Sequence, residues 1–345
     1  MDIFGFLLLL GGLALFLYGM TEMGNGLEKV SGGKLKSILE KLTSNKYKAV
    51  LLGAGVTSVI QSSSATTVMA VGLVNSGIMK LSQAIGVIMG ANIGTTITPW
   101  ILSLTGIQSD NIVLNLLKPT SFAPVLAIIG IGFLMFSKSE KKKDFGTIFL
   151  GFTILMFGMD LMSGAVAPLA NVPGFKDILV KFSNPILGVL TGAILTAVIQ
   201  SSSASVGILQ AMAMTGILNY GVAIPIIMGQ NIGTCITAIL SSIGAKKNAK
   251  RVAAVHLYFN LIGTILLMGL FYGINTFVNF NFLDNSINVV GIAVIHTIFN
   301  ILTTSVLLPF SKLLERLAII TIKDTKEEED DEFRKLDVRF LDSPG

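Results

Sequence analysis

Two polar tetrads, Gln61-Ser62-Ser63-Ser64 and Gln200-Ser201-Ser202-Ser203, each cut an apolar stretch in its middle. The stretches cover residues 49–76 and 185–216. A chain interrupted this way exposes amides and carbonyls that hydrocarbon cannot satisfy. The tetrads must therefore lie inside protein or against a water-filled cavity. The rest of the chain sets a membrane as the solvent. Apolar residues make up 52% and charged residues 13%, with a mean hydropathy of +0.76. A soluble domain carries about 25% charged residues, enough to cover its surface; this chain has half of that.

Seven further apolar runs read as membrane spans, all but the first long enough on their own to cross a core of about 30 Å. They are Ile3–Tyr18, Leu81–Leu104, Ile112–Phe136, Phe145–Ala167, Tyr220–Ile243, Val252–Phe277 and Ile287–Phe310. The first lacks both a preceding positive charge and a cleavage site, so it reads as a retained helix.

The tetrads belong to an internal repeat. Gln200 follows Gln61 by 139 residues, and the offset holds without a gap from Val50–Ser103 to Val189–Ser242. Met-Gly-x-Asn-Ile-Gly-Thr recurs at Met89–Thr95 and Met228–Thr234, and Gly19-Met20 aligns with Gly158-Met159. A weaker echo, His-x-x-Phe-Asn, stands at His256–Asn260 and His296–Asn300.

Charge decides how the interrupted stretches run. Lysine and arginine cluster at Lys29–Lys48, Lys138–Lys143, Lys246–Arg251 and Lys312–Arg316, and basic loops stay cytoplasmic. If the interrupted stretches crossed, the first and second clusters, and the second and third, would fall on opposite sides. If each turns back, all four lie inside. Each limb has about 12 residues, or about 18 Å of helix, roughly half a bilayer. The expectation is an all-α integral membrane protein of two inverted repeats, each with a re-entrant helical hairpin. It has seven full crossings, with the N-terminus outside and the C-terminus cytoplasmic in the plasma membrane. Repeat 1 spans residues 1–137 with its hairpin at 49–76, and repeat 2 spans 138–277 with its hairpin at 185–216. An additional helix follows at 278–311, then a charged tail at 312–345.

Inverted repeats with broken elements at mid-membrane are transporter architecture. Helices restarting after Gln61-Ser62-Ser63-Ser64 and Gln200-Ser201-Ser202-Ser203 present amide N–H groups and positive dipole ends to an oxyanion. Serine hydroxyls and glutamine amides add donors without fixed charge. Asn92, Thr95, Asn231 and Thr234 supply oxygens beside glycines that loosen an apolar helix, which suits Na+. Close packing of small residues is the alternative reading of that motif. Asp160, inside a span, is either a cation ligand or a polar anchor. His256 and His296 read as packing or hydrogen-bonding residues.

Composition also excludes. One cysteine, Cys235, rules out a disulfide scaffold, and two histidines leave no transition-metal cluster. No nucleophile–base pair can be assembled, so an enzyme is not expected, and no cofactor. The net charge of +5 is spread over loops, which argues against nucleic acid.

The paired tetrads, each followed by Met-Gly-x-Asn-Ile-Gly-Thr, together with His256–Asn260, resemble the type II sodium–phosphate cotransporter family, a bacterial member. The resemblance runs from about Gly11 to Phe310 by these motifs. It implies import of inorganic phosphate driven by Na+ as coupling ion. It places substrate on Gln61, Ser62, Ser63, Ser64, Gln200, Ser201, Ser202 and Ser203, and adds Thr66 and Ser205 to the Na+ set. The 139-residue offset sets Leu117–Ser121, with Lys118, opposite His256–Asn260. A carrier of dicarboxylate or sulfate and a phosphate-sensing receptor are the rival readings. Expected partners are phosphate, Na+ and the bilayer. A second copy of the chain and a cytoplasmic regulatory domain or protein are further candidates. The tail resembles the lead-in to such a domain.

Overall fold

The computed structural model describes residues 2–31, 45–106, 118–172, 174–175, 179 and 181–323. The tail beyond Lys323 and the start of the predicted 112–136 span lie outside them. In chain order the helices are α1 (Ile3–Val30), α2 (Lys46–Ile60), α3 (Ser63–Asn75), α4 (Leu81–Thr95), α5 (Ile97–Ser103) and α6 (Pro119–Phe136). They continue with α7 (Glu140–Val166), α8 (Pro185–Ile199), α9 (Ser202–Ala213) and α10 (Tyr220–Ser241). The last are α11 (Lys247–Val278), α12 (Val289–Leu307) and α13 (Ser311–Thr321). Among the described residues the only β pairing is an isolated bridge between Asn219 and Ser286. Six helical segments there are long and apolar enough to cross a membrane: Ile3–Val30, Leu81–Gly106, Glu140–Asn171, Tyr220–Ser241, Lys247–Val278 and Val289–Leu307.

Equivalent residues start equivalent helices. Asn45 accepts from Tyr47 N at 2.9 Å to cap α2, and Asn184, 139 residues on, accepts from Ile186 N at 3.1 Å to cap α8. Each cap satisfies an amide that the first helical turn cannot.

Glycine then sets how closely helices approach. A Cβ built on Gly90 would sit 2.0 Å from Val50 O, and one on Gly229 2.0 Å from Val189 O. Gly53 and Gly94 of the first copy, with Gly192 and Gly233 of the second, meet backbone oxygens at 2.1–2.4 Å in the same way. Helices this close gain their stability from backbone packing, the mode available without a hydrophobic driving force. Both glycines thus serve close packing, letting α2 lie against α4 and α8 against α10. Only Gly94 also stands beside a helix break; Gly233 does not loosen its helix. The helix is interrupted in the first copy only, where α4 ends at Thr95 and α5 starts at Ile97; α10 runs unbroken through Asn231–Cys235.

These contacts fix direction. Ala49 meets Gly86, Val50 meets Gly90 and Thr57 meets Gly94, so α2 and α4 run parallel. Gly188 meets Pro225 and Thr196 meets Gly233, so α8 and α10 do the same. Two consecutive parallel helices require the chain between them to come back. The 13 residues of α3 and the 12 of α9 make that return.

The first helix runs 28 residues, past the expected end at Tyr18, and α7 packs along it. Gly12 meets Gly158 and Met162, Gly19 meets Gly151 and Leu155, and Gly26 meets Ile148. Numbers rise on one helix as they fall on the other, so the pair is antiparallel. Gly12 and Gly19 of the first copy correspond to Gly151 and Gly158 of the second, so each contact has a counterpart with the copies exchanged. Phe16, fully buried in this seam, lies with its ring over Gly207 of α9.

Packing also revises the alignment of the His-x-x-Phe-Asn motif. Lys118 caps α6, and its helix meets α7 through Gly130 and Gly146. It is α12, not α6, that takes the place related to α11. Thr264 of α11 donates to Met228 O and Thr304 of α12 donates to Met89 O, both at 3.4 Å, and the two methionines are repeat equivalents.

Candidate functional site

Each tetrad is a tight reversal built by two residues. Gln61 ends α2 in the left-handed region at φ 59°, and Gln200 ends α8 at the same φ. Among the described residues only Asn279 joins them as a non-glycine with positive φ. A side chain in that region is disfavoured, and such outliers persist where surrounding structure over-determines them. The next residue is extended and caps the returning helix. Ser62 Oγ accepts from Ala65 N at 3.1 Å, and Ser201 Oγ accepts from Ala204 N at 3.2 Å. The capping serines thus occupy the third amide of each helix. The amides of Ser63 and Ser64, and of Ser202 and Ser203, start their helices with no carbonyl one turn back.

The two reversals are joined by a residue that the motifs did not single out. Ser203 Oγ donates to Thr98 Oγ1 at 3.3 Å, and Thr98 donates onward to Gln61 Oε1 at 3.0 Å. Thr98 belongs to α5, beyond the interruption at Thr96. Its repeat equivalent Thr237 lies 3.2 Å from Ser64 Oγ and also donates to Thr234 O at 2.9 Å. Each reversal therefore touches the other copy through a threonine. The signal was present in the sequence, since Thr98 and Thr237 sit at one repeat position. A lone threonine in an apolar run gives no reason to single it out.

Gln61 is buried, and its amide nitrogen donates to Ser58 O. Gln200 is exposed, so the copies differ here. A cavity of about 230 Å³ opens beside the first reversal, lined by Thr21, Asn25 and Glu28 of α1 with Gln61, Ser62 and Ala65.

The residues proposed for Na+ are distributed as follows. Thr66, fully buried, accepts from Thr57 Oγ1 at 2.9 Å. Ser205, its equivalent, accepts from Gln230 Nε2 at 2.9 Å, while Thr196, the equivalent of Thr57, has a buried hydroxyl with no partner among the described residues. Thr95 and Thr234 donate to Ala91 O and Gln230 O one turn back, both at 2.9 Å, which leaves their oxygen lone pairs facing outward from the bond. Asn92 Nδ2 donates to Asn260 Oδ1 at 3.0 Å, whereas Asn231 Nδ2 donates to Ile227 O of its own helix at 3.1 Å. Asp160 is exposed on α7 and is not drawn into these bonds. The buried centre is polar and uncharged, built from hydroxyls and carboxamides. His256 and His296 are buried, and Nδ1 of both lacks a partner among the described residues.

Comparison with known proteins agrees with these motifs. Residues 15–164 and 166–295 match the family described as Na+/Pi-cotransporter. YqeW of Bacillus subtilis, an uncharacterized protein, is 30% identical over 308 residues, covering 89% of this chain and 95% of its own. YjbB of Salmonella typhimurium, whose name provisionally assigns it to inorganic phosphate export, is 28% identical over 97% of this chain. The chain spans 59% of that relative's length. Sodium-dependent phosphate transport protein 2A of Rattus norvegicus is 36% identical over 148 residues, 38% of this chain and 23% of its own. No solved structure matches.

Proposed function

Because the chain belongs to the Na+/Pi-cotransporter family, we propose that it carries inorganic phosphate across the plasma membrane together with Na+, by alternating access. Under the inward Na+ gradient of a cell, such coupling imports phosphate. The reading takes the two copies as inverted repeats, with α2–α3 and α8–α9 as re-entrant hairpins whose tips meet at mid-membrane. The parallel course of α2 and α4 supports re-entry, and the copy-exchanged contacts of α1 with α7 support inversion. With α2 about 22 Å long, the tip lies short of the far face. Basic clusters then fall inside, with the N-terminus outside and the C-terminus cytoplasmic. A second copy of the chain and a cytoplasmic regulatory partner accompany this reading through the family resemblance.

One observation carries the proposal: the hydroxyl relay Ser203–Thr98–Gln61, which joins both reversals at one point. Phosphate is bound there by the opening amides of α3 and α9 and by Ser63, Ser64, Ser202 and Ser203, with Ser62 and Ser201 shaping the caps. Gln200, exposed, contributes its amide, while the amide nitrogen of Gln61 is spent on Ser58. Na+ is taken by oxygens of Thr66, Asn92, Thr95, Ser205, Asn231 and Thr234, with Asp160 as a carboxylate on the access path.

The purified chain in liposomes tests this. An inward Na+ gradient should accelerate labelled phosphate accumulation over an equal K+ gradient. Excess sulfate or succinate should leave it unchanged. Equal rates in Na+ and K+ would remove the coupling, and saturable binding without flux would remove transport.

A further inference from the structure

The packing of α11 and α12 sets up a comparison that the two copies fail in one place. His256, Asn260 and Thr264 follow one another at four-residue steps on α11, and His296, Asn300 and Thr304 do so on α12. Four-residue steps lie on one helical face. Thr264 reaches Met228 O of α10, and Thr304 reaches Met89 O of α4. Phe259 packs in the cluster that holds Met89, while Phe299 packs with Met228 and Ile224. The arrangement of α11 against α4 is thus repeated by α12 against α10. By that relation, the asparagine pair Asn92–Asn260 has Asn231–Asn300 as its counterpart.

Only the first pair is bonded. Asn92 Nδ2 donates to Asn260 Oδ1 at 3.0 Å. Asn231 Nδ2 turns back to Ile227 O, and Asn300 Oδ1, on a side chain 1% exposed, has no partner among the described residues. A buried carbonyl oxygen without a donor is destabilising, and a state that brings Asn231 Nδ2 to it would relieve that cost. Two further differences fall the same way. Gln61 is buried and held by Thr98, while Gln200 is exposed. The helix breaks at Thr96 in the first copy and continues through Cys235 in the second.

We infer that Asn260 and Asn300 are alternating latches: this conformation holds Asn92–Asn260 closed and Asn231–Asn300 open, and the oppositely facing conformation exchanges the two. Both are positioning residues, acting through Asn92 and Asn231. The inference rests on the alternating-access reading above. With equivalent copies, the end states differ mainly in which half is latched, which keeps them close enough in free energy to interconvert.

The test reads conformation rather than flux. Gln200→Cys and Gln61→Cys, singly, report access to a charged maleimide in the full chain in liposomes. Asn260→Leu releases the closed latch, and should lower labelling at Gln200→Cys and raise it at Gln61→Cys. The expected shift is roughly three- to ten-fold, the population change one hydrogen bond supports. Asn300→Leu prevents the other latch from closing, and should shift both labels the opposite way. Shifts of the same sign from both variants, or none, would overturn the inference. Should the leucine variants fail to fold, cysteine pairs decide. In a Cys235→Ala chain carrying Asn92→Cys, Asn260→Cys, Asn231→Cys and Asn300→Cys, at most one of the two designed disulfides should form per molecule. Both together would overturn it. A wild-type chain that shows no Na+-dependent flux removes the transport reading by itself, because labelling does not depend on flux.

Discussion

Thr237 Oγ1 lies 3.2 Å from Ser64 Oγ, and the residues 139 positions away, Thr98 and Ser203, meet at 3.3 Å. One copy thus supplies the reversal and the other the threonine, in both directions. The pair of contacts is a reciprocal clasp across the two halves. It puts the serine-rich segments under mutual control: neither can shift without changing a hydrogen bond in the opposite copy.

Thr98 holds two of these bonds, so its hydroxyl should matter more than its bulk. Thr98→Val should raise the phosphate KM about ten-fold, from loss of roughly 1–2 kcal/mol of hydrogen bonding, and Thr98→Ser should restore it to near the wild-type value. Thr237→Val should cost less, because Thr237 also bonds its own helix at Thr234 O. Initial-rate phosphate uptake in liposomes measures both.

The close helix contacts predict a sharp dependence on one methyl group. Gly90→Ala or Gly229→Ala drives a Cβ onto a carbonyl oxygen 2.0 Å away and should destabilise the protein by about 2–3 kcal/mol. Gly55→Ala meets nothing within 4 Å and should leave the unfolding temperature unchanged or raise it. Thermal unfolding of the detergent-solubilised protein compares them.

At the reversals, backbone and side chain can be separated. Gln200→Gly keeps the left-handed conformation, and should hold the unfolding temperature while phosphate uptake falls. Gln200→Val forces a branched side chain into that region, and should cost about 1–2 kcal/mol of stability besides. Equal unfolding temperatures for the two would contradict the strain assigned to this position.

Arg251 ties the end of α13 to α11. Its Nε and Nη2 donate to Ile322 O at 3.0 and 2.8 Å, and Nη1 donates to Asn248 Oδ1 at 2.7 Å. Lysine carries the charge but not the fork. Arg251→Lys should therefore expose α13 to trypsin, with faster cleavage after Arg316, while phosphate uptake stays within about two-fold, because the site is elsewhere. Timed proteolysis beside a flux assay reads the two effects separately.

Much of this was legible in the sequence because it lives in spacing. The 139-residue offset and the return of the chain at each tetrad both follow from local residue order. The roles of Thr98 and Thr237 were not legible, since they depend on which helix of the other copy lies opposite. Gly233 was misread for a related reason. A glycine beside polar residues signals a loosened helix in isolation, but here a neighbouring backbone fills the space of the absent Cβ. The same holds for Asn300, whose oxygen, unpaired among the described residues, becomes informative only when Asn260 is seen bonded.

The seam between α1 and α7 has a consequence for ancestry. Because Gly12–Gly158 and Gly19–Gly151 are one contact written twice, the seam face of α1 and that of α7 are complementary in the same way. A peptide comprising half this chain could offer that seam to an identical molecule lying antiparallel to it. Fusing two such peptides would need no new interface, only a linker and time for the duplicates to diverge.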